Sequence, residues 1–253
     1  MSLSTLHWHK RYAQQAHWTQ NLRKYIYNQI GIQRVNSVLD IGCGTGVLEE
    51  ELIHLVSTHI FGLDIDLSAL RIAQGFAHNS NYTNGDCLQL PYPSGTFDIT
   101  LCHFLLLWVK ESRKALKEMA RVTKPYGFVV ALAEPDYGGR IDFPCELSQL
   151  GEWQTNALKV QGANPFMGRE LRSIFSRTGL EKIEVGVLGG QWGEAISDQE
   201  IELEWEVLKS DLHQINEFIL QEDKLKAFEI ASHKNRQRIL FVPTFYAFGM
   251  VGG

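Results

Sequence analysis

The segment Val38-Leu-Asp-Ile-Gly-Cys-Gly-Thr-Gly46 constrains the fold more than any other stretch of the chain. An apolar run ends in an aspartate and passes at once into glycines at 42, 44 and 46. A helical pattern follows, with Leu48, Leu52, Leu55 and Val56 at i, i+4, i+7 and i+8 on one face. Glycines between a strand and a helix let the backbone turn tightly and approach a ligand closely. The same strand–helix alternation recurs downstream. Strands are expected at Val35–Asp40, at His59–Asp64, ending near Asp86, at Phe97–His103 and at Phe128–Ala133. Helices are expected over Ala69–Ala77, with Ser68 as N-cap, and over a segment that carries Leu116, Met119 and Ala120 inward and stops before Pro125-Tyr126-Gly127. This spacing predicts a doubly wound α/β sheet, and the nearly unbroken apolar run Phe128–Ala133 suits a strand covered on both faces.

The rest of the chain reads differently. Residues 1–34 look helical, with Tyr12, Ala16, Leu22, Tyr25 and Ile26 as the buried side. Residues 146–178 are helical, Leu180–Leu188 is a strand, 195–232 is a long helical stretch with a solvated acidic face, and Ile239–Val251 is a last, antiparallel strand. The two terminal helical segments are expected to fold back as a cap over the sheet edge.

What the glycine turn holds is limited by its neighbours. A dinucleotide fingerprint needs glycine or alanine where Val47 stands, and no Gly-Lys-Ser/Thr follows to make a phosphate loop. Asp40, just before the turn, would repel a pyrophosphate and favour a cation. Further along, Phe61-Gly-Leu-Asp-Ile65, the stretch Asn84-Gly-Asp-Cys-Leu-Gln-Leu-Pro-Tyr-Pro-Ser-Gly-Thr-Phe-Asp98 and Arg121-Val-Thr-Lys-Pro-Tyr-Gly-Phe-Val-Val130 stand in fixed order after it.

These four motifs, over roughly residues 35–136, resemble the class I S-adenosylmethionine-dependent methyltransferases, and most nearly their small-molecule, type 11 or ubiquinone-biosynthesis-like branch. The resemblance implies a Rossmann-like, doubly wound sheet of seven mostly parallel strands whose last strand is antiparallel, with a helical cap. It implies S-adenosylmethionine as cofactor, held by Asp40 and the glycines 42, 44 and 46. Asp64 is implied for the ribose hydroxyls with Ile65 beside it, Asp86 for the adenine amino group, and the Cys87 backbone N–H for the ring, with Cys102 at the same rim. Tyr12 and Trp18 are lid candidates near the sulfonium, and Arg23 is the candidate for the methionine carboxylate, by position in the N-terminal helical segment. Packing of Tyr12 and Trp18 against the core is the equal alternative. The resemblance divides a single domain, 1–253, into a lid at 1–34, a cofactor core at 35–136 and an acceptor-side half at 137–253 with a helical insertion at 191–236.

In-line transfer from a sulfonium needs chiefly a well-placed nucleophile in a dry pocket. Many relatives place a histidine near the acceptor, at a position that is Leu107 here. His103 is the base or orienting candidate, against the alternative of a packed histidine, and Glu134-Pro-Asp136 is the second candidate. Trp192 lines an acceptor pocket or anchors a loop. His7 and His9, one residue apart on a helix, point apart, and no metal is expected.

Lys and Arg number 24 and Asp and Glu 29, a net charge of −5 that argues against nucleic acid or an anionic membrane as partner. The N-terminus lacks the apolar core of a secretory signal, and the four cysteines show neither metal nor disulfide spacing. A cytoplasmic protein with reduced thiols is expected, in which alkylation of Cys43 or Cys87 would block cofactor binding. The expected activity is methylation of a small metabolite. A non-catalytic module that binds the cofactor or its product is the alternative, and oligomeric state is left open.

Overall fold

The structure is a computed structural model and describes residues 5–56, 59–187, 189 and 197–253, with side chains from Trp8 onward. Trp192 lies outside the described residues. Two helices, α1 (Thr5–Trp18) and α2 (Gln20–Ile30), lead into the alternating half: β1 (Ser37–Ile41), α3 (Val47–Leu55), β2 (His59–Asp64), α4 (Leu67–Phe76), β3 (Asn81–Asn84), β4 (Phe97–Cys102), α5 (Ser112–Val122) and β5 (Thr123–Pro135). The second half contains β6 (Ile141–Phe143), α6 (Ser148–Val160), α7 (Met167–Ser176), β7 (Glu181–Val187), α8 (Asp198–Leu212), α9 (Asn216–Lys234), β8 (Ile239–Phe241) and β9 (Thr244–Met250).

Among the described residues the main sheet has seven strands in the order β3-β2-β1-β4-β5-β9-β7. Only β9 runs against the others, paired antiparallel with both β5 and β7. Strand order reverses between β1 and β4, and in open α/β sheets ligands bind beyond the carboxyl ends at such a point. The alternation of β1 divides the core. Val38 joins Leu52, Ile60 and Ile26 on one face, and Leu39 and Ile41 join Leu116, Met119 and Phe175 on the other.

Several boundaries depart from the sequence reading. Asp66, not Ser68, caps α4: its carboxylate accepts from the Ser68 amide at 2.8 Å, which places Ser68 inside the first turn. The strand expected from Val35 starts at Ser37, because the amides of Asn36 and Ser37 are held by Asp98 Oδ2, each at 2.9 Å. The chain at Pro125–Gly127 continues as part of β5. The long C-terminal helical stretch is two helices, broken at Ile215, whose backbone is extended. The last strand is also two. Pro243 lacks the N–H that a ladder needs, so Ile239–Phe241 pairs with β6 in a separate ribbon and only Thr244–Met250 joins the main sheet. In the N-terminal helices Ala16, Leu22 and Ile26 are buried as expected, while Tyr12 is exposed and Tyr27 is buried instead.

The cap is built from insertions at the carboxyl ends of the strands. β5 leaves the sheet opposite Thr244, and β7 ends opposite Phe245. Helices α6, α8 and α9 share their own core around Trp205, with Leu150, Leu212 and Phe218. An ion network supports it. Asp142 accepts from Arg140 Nε at 2.6 Å and Arg238 Nη2 at 2.8 Å, while Glu229 accepts from Arg238 Nε at 2.8 Å and Trp205 Nε1 at 2.7 Å. Arg11 of α1 meets Glu204 of α8 at 2.6 Å, joining the N-terminal helix to the cap. No helix among the described residues is long and apolar enough to cross a membrane.

Candidate active site

The site begins where β1 ends. Gly42, Gly44 and Gly46 all have positive φ, at 74°, 55° and 83°, where a side chain is strained. Two of them are also tightly covered. A β-carbon at Gly42 would lie 2.7 Å from Leu105 Cδ1, and one at Gly46 would lie 2.9 Å from both Ala73 Cβ and the Tyr82 hydroxyl. The turn is fastened to β2 through its own amides: Gly42 donates to the Leu63 carbonyl at 2.7 Å, and Gly44 donates to Asp64 Oδ2 at 2.8 Å.

Asp64 therefore sits at the end of β2 with one oxygen on Gly44 and the other accepting from the Asp66 amide at 2.8 Å. These bonds fix the carboxylate's direction and leave its outer lone pairs for two hydroxyls. Asn84 adds a support that sequence reasoning passed over. Its amide donates to the carbonyls of Asp64 at 3.0 Å and Ile65 at 2.9 Å, tying the end of β3 to the loop after β2. Ile65 is 74% exposed beside them, an apolar surface open for a flat ring. Asp86 is exposed and accepts from the Leu88 amide at 2.8 Å, and Cys87 is half-buried beside it. The carboxyl ends of β1, β2 and β3 thus bring Asp40, Asp64 and Asp86 to one rim, as the sequence implied.

Asp40 differs from the other two. It is 2% exposed, and its Oδ1 has no hydrogen-bond partner. Burial, and next the charge of Asp64, push its carboxyl up from the ordinary range, against the pull of Arg23. A buried, unpartnered carboxylate oxygen beneath a turn of positive-φ glycines and beside two further acids suits a cationic ligand with hydroxyls and rejects a phosphate. The residues present therefore fit S-adenosylmethionine.

The N-terminal candidates divide. Tyr12 comes over the turn: a β-carbon at Gly44 would lie 3.2 Å from its Cε2, and burial together with Asp64 and Asp66 raises its phenol pKa. His9 reaches the same turn, with Nδ1 2.9 Å from Thr45 Oγ1 and its ring stacked on Phe76. Trp18 is half exposed under the Arg11 guanidinium, 4.7 Å away, on the side of α1 that faces the cap. Arg23 is 1% exposed and committed. It binds the Glu51 carboxylate through Nε and Nη2, and its Nη1 donates to the Ala16 carbonyl at 2.5 Å and Thr19 Oγ1 at 2.6 Å. The structure thus gives the Arg23 guanidinium a protein carboxylate in place of a ligand's.

On the acceptor side the candidate bases are equally committed. His103 Nε2 lies 2.8 Å from Thr19 Oγ1, and burial with the nearby Arg23 cation lowers its pKa to about 3, too low for a base at neutral pH. Glu134 is fully buried and accepts the amides of Leu105, Leu106 and Leu107 at 3.0, 2.7 and 3.1 Å, shaping the loop after β4. Asp136 is held by Arg169 through two bonds, at 2.6 and 2.8 Å. Cys102 is fully buried in the apolar core, and Leu107 is buried too. Cys43 is buried with its thiol pushed up, and burial raises Cys87 to about 11, so both thiols of the cofactor motifs are held in their less reactive, protonated form.

Comparison with known proteins agrees with this geometry. Residues 39–131 match the family described as "Methyltransferase domain". The chain is 30% identical over 184 residues to the demethylmenaquinone methyltransferase of Geobacillus stearothermophilus, a match covering 64% of this chain and 78% of that protein. It is 36% identical over 94 residues to the malonyl-[acyl-carrier protein] O-methyltransferase of Buchnera aphidicola, covering 37% of this chain and 38% of that one. Among solved structures, phosphoethanolamine N-methyltransferase 2 of Haemonchus contortus, bound to S-adenosylhomocysteine, matches with a TM-score of 0.58 and 17% identity over 93% of this chain and 52% of that chain. A Haloferax volcanii protein solved with the Trm112 methyltransferase activator matches with a TM-score of 0.62 and 17% identity over 98% and 95%. These structural likenesses show the fold. With the sequence matches, they make the chain a member of the class I S-adenosylmethionine-dependent methyltransferases of the small-molecule type, an enzyme whose cofactor is S-adenosylmethionine.

Proposed function

We propose that the enzyme methylates a small, apolar or aromatic metabolite whose nucleophilic atom needs no strong base from the protein. The observation that carries this reading is the wall beside the glycine turn. Leu105 packs directly on Gly42, Phe104 next to it adopts a positive φ of 53°, and the loop continues as the apolar turn Leu106–Trp108. Its titratable neighbours His103, Glu134 and Asp136 are all engaged inside the protein. Such a wall orders an apolar acceptor and excludes water but has no group ready to take a proton.

The cofactor supplies an electrophilic methyl group on a good leaving group. Asp64 would hold the ribose hydroxyls, Asp86 and the Cys87 amide the adenine, and the glycine turn with Asp40 the methionine end, with Tyr12 closing over Gly44. Arg23 and Trp18 act one step back, fixing the lid helices to α3 through Glu51 and to the cap through Arg11. The relatives' names, a demethylmenaquinone methyltransferase and a malonyl-[acyl-carrier protein] O-methyltransferase, suggest a panel of aromatic carboxylic acids, ionised at neutral pH, beside quinols and phenols, which are not. Incubation with methyl-labelled cofactor and such a panel should transfer label to one class, most readily to acceptors ionised at neutral pH. Label appearing only on acceptors that need deprotonation by a base would refute the reading.

A further inference from the structure

Beneath the glycine turn lies a polar cluster that the exposed rim does not account for. Asp40 pairs with Gly62 in the register of β1 and β2, so both face the same side of the sheet. A β-carbon at Gly62 would meet Glu49 Oε1 at 2.6 Å, Tyr82 Cδ1 at 2.8 Å and Cys43 Sγ at 2.9 Å. β1, the turn, α3 and β3 therefore each send one polar side chain to a single spot. Glu49 is 0% exposed, and neither of its carboxylate oxygens has a hydrogen-bond partner; the Tyr82 hydroxyl and Asp40 Oδ1 have none either. The first turn of α3 favours negative charge at Glu49 and the Cys43 thiol faces it, but among the described residues no cation stands beside it.

Two carboxyls in one dry pocket cannot both ionise without a nearby cation. The charged and titratable groups facing the pair are Asp64 from β2, Cys43 from the turn, Tyr82 from β3, Cys102 from β4, and Arg23 and Tyr27 from α2. Arg23 is the cation among these, and Glu51 already holds it. The cofactor and its product share their adenosine, ammonium and carboxylate and differ by one methyl group and one positive charge.

We propose that Asp40 and Glu49 share a proton in the free protein and release it when a sulfonium fills the crevice above them, which makes Glu49 a determinant of preference for S-adenosylmethionine over the uncharged S-adenosylhomocysteine. The carboxyl O–H bond breaks, its electron pair stays on the carboxylate oxygen, and the proton passes to solvent. The proposal rests on the cofactor assignment and adds a residue and a selectivity to it.

The test is titration calorimetry of the wild-type enzyme with each ligand, in two buffers of different ionisation enthalpy, between about pH 7 and about pH 8.5. Binding of S-adenosylmethionine should release more protons than binding of S-adenosylhomocysteine. The ratio of the two affinities should rise about three- to tenfold across that interval, within the limit for one linked proton. Glu49→Gln should abolish the difference in proton release and flatten the ratio. Equal release by both ligands in the wild type overturns the proposal without any variant, and so does a difference that survives in Glu49→Gln. Should the wild type bind neither ligand, the cofactor assignment itself fails; should it bind both with equal release, only the shared proton does.

Discussion

The two halves of the molecule bury acids to the same depth and use them in opposite ways. In the cap, Asp142 and Glu229 are almost wholly enclosed; Asp142 accepts three bonds from Arg140 and Arg238, and Glu229 accepts two from Arg238 and Trp205. Beneath the glycine turn, Asp40 and Glu49 are as deeply enclosed and hold three oxygen atoms with no partner. A buried charge with full partners fixes architecture; one without partners is unstable until something positive arrives. The contrast separates the residues that make the fold from those that await a ligand, and it can be attacked from either side.

The largest effect should come from the cap. Arg238→Ala leaves Glu229 without its ion partner and removes one of the two cations on Asp142. Breaking a buried pair by deleting one member costs about 3–5 kcal/mol, so urea unfolding should show a loss in that range. Among the described residues this network shares no hydrogen bond with Asp64 or Asp86, and affinity for S-adenosylhomocysteine should change little in the surviving folded fraction. A loss below about 1 kcal/mol would mean that the cap acids are no more structural than those of the site.

Asp64→Ala tests the other side. Its two backbone donors, Gly44 and Asp66, lose their acceptor, and the ribose hydroxyls lose theirs. Cofactor affinity measured by calorimetry should fall by about 1–3 kcal/mol, the range for hydrogen-bonding groups left unsatisfied. Unchanged binding would remove Asp64 from the site.

The same contrast marks what could be read in the sequence. The glycine turn, the acids at 40, 64 and 86 and the order of the strands were legible because each is a local pattern: an apolar run, a breaker, an acid at a strand end. Glu49 carried a signal too, since it stands three residues before Leu52 and seven before Val56 on the helix face that goes inward. The acidic run Glu49-Glu50-Glu51 disguised it as a solvated surface. Pro243 announced the split of the last strand and was outweighed by the aromatic β-rich pattern around it. Contacts between distant segments left no local trace: Thr19 with His103 spans 84 residues and Arg11 with Glu204 spans 193, so a packed His103 could be named as an alternative but its partner could not, nor could the tie between α1 and α8.

Asp40→Asn sharpens the comparison through pH. The native carboxyl is raised above its unfolded value, so the stability it contributes is fully present below the ordinary carboxylate range and is lost as pH rises through the native value. Wild-type stability, followed by chemical unfolding, should therefore decline from about pH 5 toward about pH 8, with a slope for one group no steeper than about 1.4 kcal/mol per pH unit. Asp40→Asn should flatten that decline. Identical pH curves for wild type and Asp40→Asn would erase the distinction between the two clusters.

The smallest effect is expected at His103, where the sequence pointed most directly to catalysis. The ring's Nε2 shares a hydrogen bond with Thr19 Oγ1, which also accepts from Arg23, so the histidine is held from the α1–α2 side by a chain that ends in the Arg23–Glu51 pair. With its pKa lowered to about 3, the imidazole is neutral throughout the working range and has no proton to gain there. Because the unfolded ring takes up a proton near pH 6.5 and the native one does not, its contribution to stability falls as pH drops from there toward about 3, while the native ring keeps one charge state between about pH 6 and about pH 9. His103→Gln, which keeps polar atoms near Thr19, should lower kcat/KM by less than about tenfold, short of the roughly hundredfold or more that loss of a general base costs. It should leave the shape of the pH–rate profile between those limits unchanged. If the wild-type profile instead rises through a limb near pH 6.5 that vanishes in the variant, the ring titrates in the working enzyme, and His103 must leave Thr19 when the acceptor binds.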